Sequence, residues 1–233
     1  MTKNRVYAVI LAAGMGSRMG ADITKQKMLL NGRTVISRTV GTFYECECIE
    51  GIVVVGRDEE LDFLSSELSE YSGKIHAIVA GGDTRFESAR IGFNTLPDVA
   101  THIAIHDGAR PLVSTKTIQS VVDAAIKYGA ATDACAIYDT VKSINKDGVI
   151  TGTVDRSSLV GARTPQVFSA EIYARALDNS HGGEGITDDN MMVEKLGIAV
   201  HAVITNGQNP KITTMEDLKY ADFLIKEREG QNV

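Results

Sequence analysis

Tryptophan is absent, aromatic side chains make up 6% of 233 residues, and the chain has only three cysteines and four prolines. Each scarcity closes off a class of protein. Cys46, Cys48 and Cys135 are too few to pair completely. Cys46-x-Cys48 has no second cysteine or histidine pair nearby to finish a zinc site, so free structural thiols are expected. No apolar run reaches the ~18 residues of a bilayer span. Met1-Thr2-Lys3-Asn4-Arg5 runs into the first apolar stretch with no h-region or cleavage site, which points to a cytoplasmic protein without a membrane partner. Positive charge is also short. A net charge of −6 argues against a broad basic face for nucleic acid, so cations for an anionic ligand must be gathered locally.

What is present fits one α/β domain over residues 1–233, since 43% hydrophobic and 23% charged residues are ordinary for a globular chain with an ample core. Val6, Val9, Ile10 and Leu11 read as a buried parallel strand that empties into Ala12-Ala13-Gly14-Met15-Gly16-Ser17-Arg18-Met19-Gly20. Gly14 and Gly16 lack the Cβ atoms that would hold an anion away from backbone N–H groups, and Arg18 and Lys25 add mobile positive charge. This chemistry suits a polyphosphate. The two familiar glycine loops do not fit: a dinucleotide fingerprint would need glycine at Met19 and an acidic residue about 20 positions on, and no Gly-Lys-Ser/Thr supplies a Walker loop.

Further along, strand and helix alternate. Helical spacing covers Thr34 to Tyr44 and Glu59 to Leu68, and strands are expected at Gly51 to Val55, Lys74 to Val79, Thr101 to Ile105 and Ala131 to Ile137. The pattern predicts a doubly wound, mostly parallel sheet whose ligands lie at the carboxyl ends, so the loops after Leu11, Val79 and Ile105 should converge. Thr84 with Glu87 is a capping box after Gly81-Gly82-Asp83, and Ser114 caps a helix to about Tyr128. Asp107 ends the fourth strand in His106-Asp107-Gly108-Ala109-Arg110-Pro111. A carboxylate among phosphate-binding donors would repel substrate unless a cation intervened, and Mg²⁺ is the natural bridge. His106 is expected as support, since phosphoryl transfer needs positioning more than proton abstraction. Asp147-Gly148 between two β-rich runs predicts a hairpin arm at about 138–156, which needs a partner surface. Thr187-Asp188-Asp189 starts a helix that Gly197 ends, and Thr214 with Asp217 caps the closing helix.

These residues carry a resemblance over nearly the whole chain. A-A-G-x-G-x-R-M-G followed by Lys25-Gln26 resembles the small nucleotidyltransferases that join a nucleoside triphosphate to a sugar or polyol phosphate, most closely the 2-C-methyl-D-erythritol 4-phosphate cytidylyltransferase family of isoprenoid biosynthesis. The resemblance implies a Rossmann-like nucleotidyltransferase fold, transfer of a cytidylyl group from CTP to the polyol phosphate, and release of pyrophosphate. It implies Arg18 and Lys25 as catalytic cations and Ala12, Ala13, Gly14, Gly16, Gly82, Asp83 and Ser88 around the nucleotide. Arg110, Thr140, Arg156, Thr164, Thr187 and Lys211 would hold the acceptor, Asp107 would carry Mg²⁺, and the arm would clasp a second subunit into a homodimer. Two positions depart from the family: Gly108 stands where alanine is usual, and Arg163 where glutamine or another uncharged residue is common. The nearest alternative acceptor is ribitol 5-phosphate, and a more distant alternative is a regulatory module that binds nucleotide without catalysis.

Overall fold

A computed structural model describes residues 3–14, 24–180 and 182–230. In chain order the elements are β1 (Val6–Leu11), a small hairpin of β2 (Leu29–Leu30) and β3 (Arg33–Thr34), α1 (Val35–Glu45), β4 (Ile49–Gly56), α2 (Leu61–Glu67) and β5 (Ile75–Ala80). They continue with α3 (Arg85–Asn94), β6 (His102–Asp107), α4 (Thr115–Tyr128), β7 (Ala130–Ala136), β8 (Lys142–Ile144) and β9 (Ile150–Thr153). The chain closes with β10 (Val160–Ser169), α5 (Ala170–Asn179), α6 (Asp189–Glu194), β11 (His201–Ile204) and α7 (Met215–Gly230).

Seven strands form one sheet in the order β11-β7-β10-β6-β1-β4-β5. Every neighbouring pair is parallel except the two that β10 makes, with β6 and with β7. The period of two along each strand divides the core between the faces. Ala8, Ile10, Ile52, Val54 and Ala104 pack against Ile36, Val40 and Phe43 of α1 and Ile118, Val121 and Val122 of α4. Val9, Val53, Val55, Ile103 and Ile105 pack against Phe86 and Ala89 of α3, Tyr173 and Ala176 of α5, and Met192 and Val193 of α6. Burial on both faces is why these strands read as unbroken apolar runs. Fully burying one such Val or Ile is worth about 1.5–3 kcal/mol, so the central strands form a stiff platform for the loops at their ends.

The antiparallel strand β10 and the helix α5 after it were not expected. Pro165 breaks the apolar pattern and lacks an N–H for a ladder, which argues against an interior strand. The structure accommodates it at an irregularity: pairing with β7 shifts register between Ala162 and Gln166, so Pro165 falls where the ladder is interrupted. The hairpin expected around Asp147-Gly148 is present as β8 and β9, paired from Lys142–Thr153 to Ile144–Ile150.

Candidate active site

β1 lies between β4 and β6, so the chain leaves β1 toward one edge of the sheet and later returns to its other side. That switch point opens a crevice at the carboxyl ends of the strands, where open α/β sheets place ligands. A cavity of about 230 Å³ fills it, lined by residues that include Ala13, Gly14, Lys25, Gly82, Asp83 and Lys211. The loops after β1, β5 and β6 converge here as expected. Gly81 allows the close approach: a Cβ there would stand 2.7 Å from Ser88 Oγ and 2.8 Å from Ala13 Cβ.

Lys25 opens a short 3-10 turn, Lys25–Lys27, anchored from behind. Gln26 is buried, Lys27 Nζ reaches Glu60 Oε1 at 3.3 Å, and the Thr24 hydroxyl donates to the same oxygen at 2.7 Å. Lys25 and Gln26 both line the cavity. Lys25 Nζ lies 4.0 Å from where a Cβ on Gly14 would be, so ammonium and glycine backbone border the same space. That pairing of a mobile cation with exposed backbone suits a polyphosphate.

Asp107, the last residue of β6, is the electrostatic centre. Only 7% of it is exposed, and its carboxylate meets Lys211 Nζ at 3.0 Å, Arg110 Nε at 3.2 Å and Arg85 Nε at 3.6 Å. Burial alone would raise its pKa, but Lys211, Arg85 and Arg110 outweigh burial and hold it well below the usual carboxylate range. One anion thus gathers three cations in a chain of net negative charge. When phosphate oxygens replace that anion as partners, the cations are already in place.

Each cation is fixed by its own support. Arg85 Nη1 donates to Asp189 Oδ2 at 2.6 Å, and Asp189 also accepts from the Tyr173 hydroxyl at 2.8 Å. Gln166 on β10 receives the Asp189 N–H at 3.0 Å and donates to Asp188 at 2.8 Å, tying the start of α6 to the sheet. Arg110 Nη1 donates to Asn209 O at 2.8 Å. The Asn209 amide donates to Asp133 Oδ2 at 2.9 Å and to Thr164 O at 2.8 Å, and Ile212 N–H donates to Ala109 O at 2.8 Å. Lys211 is therefore carried on a segment docked directly onto the loop after β6.

The family model described as 2-C-methyl-D-erythritol 4-phosphate cytidylyltransferase matches residues 6–227. The chain belongs to that family. The protein of that name from Desulforamulus reducens is 40% identical over 227 residues, covering 96% of this chain and 97% of its own. The one from Lachnoclostridium phytofermentans is 37% identical over 230 residues, covering 97% and 98%. The crystal structure of 4-diphosphocytidyl-2C-methyl-D-erythritol synthase from Anaerococcus prevotii superposes with a TM-score of 0.85 at 29% identity, covering 96% of both chains.

Measured against the family's expected site, the described residues divide three ways. Ala13, Gly14, Lys25, Gly82, Asp83, Ser88, Asp107 and Lys211 border the cavity, and Arg110 joins them through Asp107. Ala12 and Thr164, expected near ligands, are buried next to residues that line the cavity and do not line it themselves. Ala12 is buried and donates its N–H to Val55 O at 2.7 Å. Thr164 is buried, with its hydroxyl accepting from Asp107 N–H at 3.0 Å and bonded to His106 Nδ1 at 3.1 Å. Thr140, Arg156 and Thr187 are exposed and do not line the cavity within one chain. Arg156 is bonded to Tyr138 O, and Thr187 contacts Met191 Sδ at 3.8 Å. Gly16 and Arg18 lie outside the described residues. Arg85 was missed as a site residue because the capping box at Thr84 and Glu87, both halves of which form, explained its segment locally. Gly108 has a tight fit: a Cβ there would come within 3.0 Å of Leu11 O. Arg163, the other departure, donates to Gly207 O at 2.9 Å.

His106 is fully buried beside Phe43 and supports Asp107 as expected. Thr164 accepts the Asp107 N–H, so its own proton goes to His106 Nδ1, leaving Nε2–H to donate to Arg110 O at 3.2 Å. Burial pushes the imidazole down to about 3, although Asp107 pulls the other way. Its stabilising effect is complete above the ordinary histidine value near 6.5 and is lost as pH falls toward 3, because the unfolded chain takes a proton the folded one refuses. The loss accumulates to roughly 4 kcal/mol over that window. Denaturant unfolding of wild type and His106→Gln between pH 7 and pH 5 tests this. Across that range the wild type should lose roughly 2 kcal/mol more than the variant, most of it below pH 6, and parallel curves would refute it.

No group of three or more His, Cys, Asp or Glu side chains able to hold a metal occurs among the described residues. The donor set nevertheless suits Mg²⁺, which takes one or two carboxylates and completes its shell with water and substrate phosphates. Asp107 Oδ2 is held closely by Lys211 and Arg110, whereas Arg85 approaches Oδ1 only to 3.6 Å.

Proposed function

We propose that this protein transfers a cytidylyl group from CTP to 2-C-methyl-D-erythritol 4-phosphate, giving 4-diphosphocytidyl-2-C-methyl-D-erythritol and pyrophosphate. The observation that carries the mechanism is that Gly14, Lys25, Arg85, Asp107 and Lys211 line one cavity, with Arg85, Arg110 and Lys211 paired to the Asp107 carboxylate. Lys25 and the Gly14 backbone, with Arg18 beside them in sequence, take the triphosphate. Lys211 and Arg110 take the acceptor's phosphate. Its oxygen attacks the α-phosphorus, the bond from that phosphorus to the bridging oxygen breaks, and pyrophosphate leaves with the bond's electrons. A phosphate dianion needs no base, in keeping with His106, whose two ring nitrogens are both engaged away from the cavity. The protein's contribution is alignment and stabilisation of charge already arranged before substrate arrives. Asp107 would hold Mg²⁺, which lowers repulsion between the two phosphate groups when bound.

The working form is a homodimer. The arm of β8 and β9 stands clear of its own chain with Ile144, Val149 and Ile150 each more than half exposed and Tyr138 81% exposed, a surface suited to a partner. Thr140 and Arg156 lie at the base of that arm, where they would enter the partner's site.

Pyrophosphate release across four nucleoside triphosphates and two acceptors tests the reading. CTP with methylerythritol phosphate should exceed every other pair in kcat/KM by about 100-fold or more. A preference for ribitol 5-phosphate would assign the alternative acceptor, and no release from any pair would make the protein a binding module.

A further inference from the structure

At the end of the sheet opposite the cavity, the turn from α1 into β4 brings two sulfurs together. Cys46 Sγ and Cys48 Sγ are 3.2 Å apart, held by a turn in which Ile49 N–H donates to Cys46 O at 3.1 Å. Lys74 Nζ donates to the same carbonyl at 2.8 Å, placing an ammonium beside the pair. Cys46 is buried, while Cys48 lines a surface cleft of about 420 Å³ with Lys3, Glu50, Lys74 and Gln119. We propose that Cys46 and Cys48 are a redox-active dithiol that closes to a reversible intramolecular disulfide on reaction with a hydroperoxide.

The chemistry follows from the unequal surroundings of the thiols. The hydrogen bond from Cys48, helped by Lys74, lowers the Cys46 thiol to about 7 against the opposing effect of burial, and the same interaction keeps the proton on Cys48. Cys46 then carries the thiolate, and peroxide meets the 3.2 Å sulfur pair from the cleft that Cys48 lines. Cys46 Sγ attacks one peroxide oxygen, the O–O bond breaks, and the departing hydroxide takes the Cys48 proton and leaves as water. The freed Cys48 thiolate attacks the sulfenic sulfur of Cys46, the S–O bond breaks, and that hydroxide leaves as a second water using the proton Cys46 had released. Two thiols lose two electrons and one peroxide gains them. A bridge across one intervening residue removes little loop-closure entropy, so it is no structural staple. Its tight ring makes it easily reduced, as labile disulfides are. A zinc site is not an equivalent explanation, since two thiolates have no third ligand among the described residues.

Cys135 is an internal control, with its thiol turned to Gly161 O at 3.6 Å and no second cysteine paired with it among the described residues. Wild-type protein is treated with near-stoichiometric hydrogen peroxide at pH 7, quenched, alkylated under denaturing conditions and mapped by mass. The expected result is loss of both alkylation sites on the peptide holding Cys46 and Cys48, a mass about 2 Da lower, full reversal by dithiothreitol, and a rate about ten-fold or more above that of Cys135. Cys46 over-oxidised with Cys48 still alkylated, or both thiols intact when Cys135 has reacted, would overturn the proposal. The readout is the thiols themselves, so it is independent of the catalytic reading.

Discussion

Asp107→Asn is expected to lower kcat by about a thousand-fold while leaving the KM for CTP within a few-fold, because the amide keeps the shape and removes the charge that aims three cations. Lys211, Arg110 and Arg85 would then repel one another across a nearly buried centre. The cations are partly solvated, so the stability cost should be modest, roughly 1–2 kcal/mol after allowing for screening. Thermal melting separates that loss from the kinetic one. Activation by Mg²⁺ should weaken in parallel, and a variant with the parent's kcat and Mg²⁺ dependence would remove Asp107 from the mechanism. Because its pKa is depressed in the folded state, the Asp107 carboxylate stabilises the protein fully above about pH 4 and loses that effect below it. Acid unfolding of the variant should accordingly be shallower there.

Mixing two inactive proteins is expected to restore activity. Lys25→Ala damages the cavity's own wall, and Arg156→Ala damages a residue that stands outside the cavity of its own chain. If the arm completes the partner's site about a two-fold axis, one site of each heterodimer collects both lesions and the other neither. Random exchange of equal amounts makes half the dimers mixed, so about a quarter of wild-type activity should return. If the arm served its own chain, every site would keep one lesion. Heterodimers shown to form without recovery would refute the shared site.

Most of the βα order was legible because local chemistry and tertiary demand agree. The capping boxes at Thr84 and Thr214 and the cap at Ser114 form as written, because a side chain three residues from its partner amide needs no help from the rest of the molecule. Where the two disagree, sequence reasoning fails. β10 was hidden because Pro165 is a poor strand residue anywhere except at an interruption, and only pairing with β7 creates one. Arg85 was hidden because its partners Asp107 and Asp189 are 22 and 104 positions away. The contacts of Thr164 were not legible either, because a hydroxyl in a motif does not reveal that it meets the backbone N–H of Asp107, 57 positions away.

Sequence alone was enough for the family, for the buried strands with their glycine loop, and for Lys25, Asp107, Arg110 and Lys211 among the charges at the cavity, though not for Arg85. These follow from periodicity and from residue types that few other chemistries require together. The tertiary structure decided which of those groups meet: that Asp107 is shared among three cations, that Thr164 and His106 stand behind it, and that Thr140 and Arg156 lie outside the cavity of their own chain. The reason is range. Backbone preference and capping act over a few residues, whereas a charge cluster depends on distances between segments that are set by how both faces of the sheet are packed.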